Sequence, residues 1–163
     1  MDEIWLGVRL LLLLAMANTA PLVAKQWLGP RLSEPLDGGL LLLDGRPLLG
    51  SSKTIRGVVA AVAATTLGAL VLGMSATAGA LLGGGAMLGD AIASFIKRRL
   101  GAAPSSRATG LDQIPEALLP LLAMKSFLGV TLLQIAAITF IFFMLEIPLA
   151  WLSHRLGLRD RPY

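Results

Sequence analysis

GVVAAVAATTLGALVLGMSATAGALLGGGAMLGDAIASFI, residues 57–96, runs for 40 residues with a single charged side chain, Asp90. A transmembrane α-helix needs roughly 20 apolar residues to cross a hydrocarbon core about 30 Å thick, so this stretch is long enough for two crossings. The small-residue break Gly73-Met74-Ser75 near its midpoint makes them antiparallel, with almost no outer loop. On the N-terminal side, Ile4 to Ala24 carries only Arg9 and reads as another crossing. On the C-terminal side, Ile114 to Met124 is apolar but short, and Ser126 to Leu145 is a full uncharged run that ends at Glu146-Ile147-Pro148. The pattern predicts an all-α integral membrane protein, one domain over 1–163, with five transmembrane helices at about 4–28, 54–73, 75–97, 112–125 and 127–152. Two loops, about 29–53 and 98–111, hold most of the polar residues.

Composition agrees. Of 163 residues, 55% are hydrophobic and 15% charged, and the mean hydropathy is +0.75, which excludes a water-soluble domain. The absence of cysteine excludes a disulfide framework, a thiolate metal site and a Cys nucleophile. A net charge of +4 in a mostly buried chain means basic loops facing anionic headgroups or phosphates. Headgroups or phosphates are favoured over nucleic acid as the partner, because with 6% aromatics there is no aromatic-interleaved basic face for base stacking.

Cations set the expected orientation, since short loops rich in Lys and Arg stay cytoplasmic. With the N-terminus outside and the C-terminus cytoplasmic, the inner segments hold twelve of the 14 cations, among them Arg107, Arg159 and Arg161; Arg9 and Lys125 remain. Trp5 and Trp27 bracket the first span, 22 residues or roughly 33 Å apart, as an interfacial belt requires. The acidic start Met1-Asp2-Glu3 is the reverse of a signal peptide's n-region, so the first span is expected to be retained in the cell membrane.

A carboxylate inside a span defaults to a functional hypothesis. Asp90, Ser94 and Lys97 fall at i, i+4 and i+7 on one helix face, with Arg98 beside them and Gly79, Gly83, Gly84, Gly85 and Gly89 before them for close helix packing. The plainer alternative pairs Asp90 with Lys97 or Arg98 at the inner interface. Asp112 and Glu116 also lie at i, i+4; Asp112 alone reads as a helix cap with Pro115 in the first turn. Taken together, the three carboxylates match a hard-cation site, Mg²⁺ held by carboxylate oxygens and substrate phosphate. In Gly50-Ser51-Ser52-Lys53-Thr54-Ile55-Arg56-Gly57, Ser51 or Ser52 can cap the next helix, while Lys53 and Arg56 face one way from its positive end. The spacing is not a Walker A motif, because two serines precede Lys53 and no strand leads in. Asn18, followed by Pro21 inside the first span, offers hydrogen bonds to a base or headgroup. Glu146 is read as a local cap or pair, and His154, among Arg155 and Arg159, as solvated or headgroup-facing.

The run Gly89-Asp90, Ser94-Phe95-Ile96-Lys97-Arg98-Arg99 and Leu111-Asp112-Gln113 resembles the signature of the CDP-archaeol synthase family, membrane cytidylyltransferases related to CDP-diacylglycerol synthases. Ala17-Asn18-Thr19-Ala20-Pro21, Pro35-Leu36-Asp37-Gly38-Gly39, Asp44-Gly45-Arg46 and Lys53-Thr54-Ile55-Arg56-Gly57 look like further family blocks in family order. The resemblance implies transfer of a cytidylyl group from CTP to a lipid glycerol phosphate, archaeal-type ether lipid phosphate or phosphatidate, with Mg²⁺, in phospholipid biosynthesis. It implies Asp90 and Asp112 as metal ligands and, with Lys53 and Lys97, as the catalytic set. Asn18, Ser52, Lys53, Thr54, Arg56, Ser94, Lys97 and Arg98 form the implied substrate-binding set, on the cytoplasmic side. The family follows Leu-Asp-Gln with a second aspartate; here Ile114-Pro115-Glu116 follows, and Glu116 is the candidate replacement ligand. Partners are CTP, the lipid phosphate and membrane lipids, and a homo-oligomer is left open. A CDP-alcohol phosphotransferase needs four aspartates on two neighbouring helices, which Asp37 and Asp44 do not supply. A non-enzymatic transporter or membrane subunit with Asp90 as ion site is the remaining alternative.

Overall fold

The computed structural model describes residues 3–103, 106 and 108–157. Six helices follow one another: α1 (Glu3–Leu28), α2 (Ile55–Val71), α3 (Ala76–Arg99), α4 (Gln113–Ala123), α5 (Lys125–Leu128) and α6 (Leu132–Arg155). Among the described residues, extended pairing is limited to isolated bridges in the segment before α2. Arg107, Arg159 and Arg161 lie outside the described residues.

Local chemistry fixes the helix ends. Thr54 caps α2 by accepting from Gly57 N–H, and Ser75 caps α3 by accepting from Ala78 N–H. Between α2 and α3, Gly73 takes φ +70, the left-handed turn anticipated at Gly73-Met74-Ser75. The last long helix begins at Leu132 rather than near 127, because Gly129 ends the single turn of α5 and a capping box of Thr131 and Gln134 starts a new helix.

By length and composition, α1, α3 and α6 are apolar enough to cross a membrane. α2 has 17 residues and α4 has 11, about 26 Å and about 17 Å of helix respectively. Outward faces carry Leu67, Leu81, Leu133 and Phe140, exposed apolar side chains suited to lipid contact. Inside, Leu10, Leu13 and Leu14 of α1 meet Leu82 and Ala86 of α3, Leu121 of α4 and Phe142 of α6.

Neighbours run round the bundle as α1, α2, α3, α4, α6 and back to α1, with α1 also touching α3. Glycines set the spacing around α3. A Cβ at Gly79 would come within 2.7 Å of Thr66 Cα on α2, and one at Gly83 within 3.1 Å of Val62 Cα. On the other side, a Cβ at Gly85 would meet Pro120 Cβ at 2.8 Å, and one at Gly89 would meet Glu116 Cα at 2.8 Å on α4. Two glycine pairs, each at i, i+4, thus bring α2 and α4 against α3 backbone to backbone.

The segment 29–54 folds back on these helix ends. Leu36 N–H donates to Lys53 O at 2.7 Å, and Ile55 N–H to Glu34 O at 3.3 Å, which closes the segment at its base. Asp37 organises its middle by accepting from the N–H groups of Leu49, Gly39 and Gly50 at 2.8, 3.0 and 3.2 Å. Arg99, at the end of α3, donates to Asp44 Oδ2 at 2.6 Å and Pro47 O at 2.5 Å, while Arg46 returns a bond to Arg99 O at 2.6 Å. Arg56 donates to the carbonyls of Gly29 and Arg31 at 2.6 and 2.7 Å.

Burial works against ionisation of Asp37, but the N–H groups of Leu49, Gly39 and Gly50 outweigh it and hold the carboxyl below the usual carboxylate range. A depressed folded value means that the stabilisation is complete above the ordinary 3.8 and is lost as pH falls through the lower folded value. Asp37→Asn is therefore expected to lower the unfolding midpoint in detergent at pH 7 by about 2–4 °C. The gap between the two proteins should narrow as the measurement is moved below pH 3.8. A second comparison tests the helix spacing: Gly89→Ala should destabilise by about 1–3 kcal/mol. Gly84→Ala, whose Cβ meets nothing within 4 Å, should stay within about 0.5 kcal/mol of the parent by the same thermal unfolding assay.

Candidate active site

At the end of the bundle where α1, α3 and α6 finish and α2 and α4 begin lies a cavity of about 880 Å³. Asp90, Ser94, Lys97 and Arg98 of α3 reach it along one face, as their spacing predicts. Asn18 comes from α1, Asp112 and Glu116 from the start of α4, and Ser52, Lys53, Thr54 and Arg56 from the entrance to α2. All the residues singled out for catalysis, substrate and metal thus line one cavity, although they come from four separate parts of the chain. His154 is not among its walls.

The pairing differs from the plainer sequence readings. Asp90 does not pair with Lys97 or Arg98 on its own helix; its Oδ2 accepts from Lys53 Nζ at 2.5 Å, across from α3 to the loop. Lys97 instead pairs with Asp112 of α4 and donates to Ser106 O at 3.0 Å. Asp112 occupies the first position before α4 but makes no side-chain cap; its Oδ2 accepts from Ala108 N–H at 2.8 Å. The reason is geometric: the close α3 to α4 packing at Gly89 puts Lys97 within reach of Asp112, and an ion pair outcompetes a solvated cap. Thr54, not Ser51 or Ser52, caps α2. Arg56 turns toward the Gly29 and Arg31 carbonyls and does not point with Lys53.

Arg98 is 3% exposed, and among the described residues its Nε and Nη1 make no hydrogen bond. A buried guanidinium with unmet donors at a cavity wall suits a planar or tetrahedral oxyanion. Glu116 is buried at the same cavity. Glu146 departs from its expected local pairing: it is buried on α6 and accepts from Asn18 Nδ2 at 3.2 Å, 128 residues away in sequence. Sequence reasoning also counted Lys25 only as an orienting cation, whereas it lines the cavity. The signal for Glu146 was present, an acid that closes the uncharged run from Ser126 to Leu145.

The donor chemistry fits Mg²⁺ in one manner. Among the described residues no three acidic or histidine side chains converge into a ready-made cage. Asp90, Asp112 and Glu116 nevertheless line one cavity beside Lys53, Lys97 and Arg98, and Mg²⁺ is commonly held by one or two carboxylates with the remaining positions left to water and substrate phosphate.

The family model described as CarS-like, CDP-archaeol synthase, matches residues 72–163. A CDP-archaeol synthase of Aeropyrum pernix is 39% identical over 139 residues, covering 80% of this chain and 74% of that protein. The chain belongs to the CDP-archaeol synthase family. Another member, from Hyperthermus butylicus, is 42% identical over 105 residues, 60% of this chain and 59% of the relative, so that match spans less than two thirds of its length. A solved structure described as an intramembrane enzyme for archaeal membrane lipids biosynthesis superposes with a TM-score of 0.70 at 36% identity, covering 86% of this chain and 90% of that one. Of the blocks that carry the resemblance, those holding Asn18, Lys53, Asp90, Ser94, Lys97 and Asp112 reach the cavity wall of this CDP-archaeol synthase family member, whereas Asp37, Asp44 and Arg46 lie outside it.

The ion pairs give a direct test. Lys97 has a side chain only 9% exposed, so Lys97→Met leaves Asp112 without its ammonium partner and Asp112→Asn leaves the ammonium without its carboxylate. Each single change is expected to destabilise by about 1–3 kcal/mol, and the double mutant by less than the sum, with a coupling of about 1 kcal/mol or more in detergent unfolding.

Proposed function

We infer that this chain transfers a cytidylyl group from CTP to the phosphate of an archaeal-type ether lipid, giving a CDP-lipid and pyrophosphate. One observation carries the reading: the cations Lys53, Lys97 and Arg98 and the carboxylates Asp90, Asp112 and Glu116 line a single cavity in a chain of the CDP-archaeol synthase family. A triphosphate and a lipid phosphate bring several negative charges together, and an apolar bundle accepts them only beside matching cations.

In the reaction an oxygen of the lipid phosphate attacks the α-phosphorus of CTP. The new phosphoanhydride bond forms as the bond from the α-phosphorus to the bridging oxygen of the β-phosphate breaks, and pyrophosphate leaves with the electron pair. The attacking phosphate is already anionic, so no residue need remove a proton, in keeping with a site built without His or Cys. Lys53 and Lys97 exchange their carboxylate partners for phosphate oxygens, Arg98 binds one phosphate through its unmet donors, and Ser94 hydrogen-bonds another. Asp90 and Asp112, with Glu116 in place of the family's second aspartate, would hold Mg²⁺, which when bound supplies positive charge against the phosphates.

The arrangement is read as five crossings with the N-terminus outside and the cavity facing the cytoplasm. Supporting this, Lys25, Arg31, Arg46, Lys53, Arg56 and Lys97 to Arg99 all belong to the cavity end, whereas Arg9 and Lys125 lie toward the other end. The lipid tail would enter laterally between helices.

The test is pyrophosphate release by purified protein given CTP and Mg²⁺ with ether-lipid phosphate or phosphatidate. Turnover with the ether lipid is expected, falling by about 10²-fold or more in Asp90→Asn. A folded protein that neither binds CTP nor releases pyrophosphate would favour a non-enzymatic ion site at Asp90.

A further inference from the structure

Leu81, Leu88, Ile92 and Phe95 are all exposed and recur at helical spacing, so they form one apolar stripe along the outer face of α3. α3 is long and apolar enough to cross a membrane, and a stripe of this kind on such a helix faces hydrocarbon. Arg99 is the next position on the same stripe, and its guanidinium carbon lies 5.4 Å from the centre of the Phe95 ring. A cation that closes a lipid-facing stripe marks the level where hydrocarbon gives way to headgroups. Trp27, exposed at the same end of the bundle on α1, is an interfacial side chain of the kind found at that level.

What Arg99 holds at that level is a short hairpin. Leu48 N–H donates to Leu40 O at 2.9 Å, Leu42 N–H to Arg46 O at 2.9 Å and Gly45 N–H to Leu42 O at 2.8 Å, which closes a turn over 40–48. Arg99 grips the turn through Asp44 Oδ2 and Pro47 O. Its tip is apolar: Leu43 is fully exposed, and Leu40 and Leu41 are 54% and 58% exposed. Three exposed leucines in one short turn are costly in water. Two features that would keep a loop out of an interface are absent from this turn. The one acid at the tip, Asp44, is neutralised by Arg99, and the N–H groups of Leu42, Gly45, Arg46 and Leu48 all bond within the turn. The occupant follows from continuity, because the leucines are moored to the last residue of a stripe that already faces lipid.

We propose that the 40–48 hairpin is a membrane-seated finger, with Leu40, Leu41 and Leu43 inserted into the interface of the leaflet at the cavity end beside the α3 stripe, so that the bilayer holds segment 29–54 at headgroup level. The proposal concerns the bilayer and holds whatever reaction the cavity carries out.

The chain has no cysteine, so Leu41→Cys, Leu43→Cys and, at the exposed base of the same segment, Glu34→Cys can each be labelled singly with a polarity-sensitive fluorophore in the full-length protein. The labelled proteins are reconstituted into vesicles of mixed phosphatidylcholine and phosphatidylglycerol, and quenching by acyl-chain nitroxide lipids is compared with quenching by aqueous iodide. Labels at positions 41 and 43 should emit to the blue of the label at 34, be quenched by the nitroxide lipids at a depth of about 5–10 Å, and lose iodide quenching several-fold relative to position 34. On the unsubstituted chain, a phosphatidylcholine carrying an acyl-chain diazirine should photolabel residues 40–43. Iodide quenching at 41 and 43 equal to that at 34, with no diazirine adduct on 40–43, would place the tip in water and overturn the proposal in favour of a soluble partner. Shielding seen in crowded vesicles but lost in nanodiscs holding one copy each would overturn it in favour of a second copy of the chain.

Discussion

An ionised side chain inside an apolar bundle needs a partner within hydrogen-bond reach, and for Asp90 and Lys97 of α3 that partner comes from a neighbouring segment and not from α3 itself. That requirement makes the distance from α3 to its neighbours decisive. Gly79 and Gly83 remove side chains on the face toward α2, and Gly85 and Gly89 remove them on the face toward α4. With those faces bare, α2 and α4 approach closely enough for Lys53 to meet Asp90 and for Lys97 to meet Asp112. Adding one methyl at Gly89 acts on the same backbone that positions Asp112 and Glu116, so packing and electrostatics are one design here.

The two pairs run in opposite senses. α3 supplies the acid to one and the base to the other, so its charges are neutralised without local pairing along the helix. A cavity wall of this kind is balanced while it is without substrate, and it can receive a multiply charged ligand by partner exchange. In the proposed reaction the carboxylates and ammonium groups separate toward cation and phosphate, respectively. Arg98 differs in kind, because its buried donors are already unmet and require no exchange. In the proposed reaction its donors would therefore be available to phosphate before the two ion pairs open.

Much of this was legible in the residues. The long apolar helices, the turn at Gly73-Met74-Ser75 and the glycine face of α3 follow from hydropathy and side-chain size, both of which are local properties. The membership of the cavity followed from chemistry, since charged residues in an apolar chain have few places to go. What the sequence did not carry was who pairs with whom. Asp90 has Lys97 seven residues away and Lys53 37 residues away, and the distant partner wins because the tertiary fold decides distance, not the helix period. Glu146 and Asn18 illustrate the same limit at a separation of 128 residues. The helix start at Leu132 was missed for another reason: Gly129, Thr131 and Gln134 define it by backbone capping within a run whose hydropathy is continuous.

Arg46 and Arg99 hold each other's main chain: the Arg99 guanidinium binds Pro47 O and Asp44, and the Arg46 guanidinium binds Arg99 O. The contact from Arg99 to Asp44 joins positions 55 apart in the chain. During synthesis the segment 29–54 leaves the ribosome well before Arg99 exists to moor it. Its final shape must wait until α2 and α3 have both been made and have come together, so the polar roof of the cavity is finished only after the helical hairpin beneath it. The roof thus reports that the hairpin has formed, and a chain whose α2 and α3 fail to pair is left without a completed polar site.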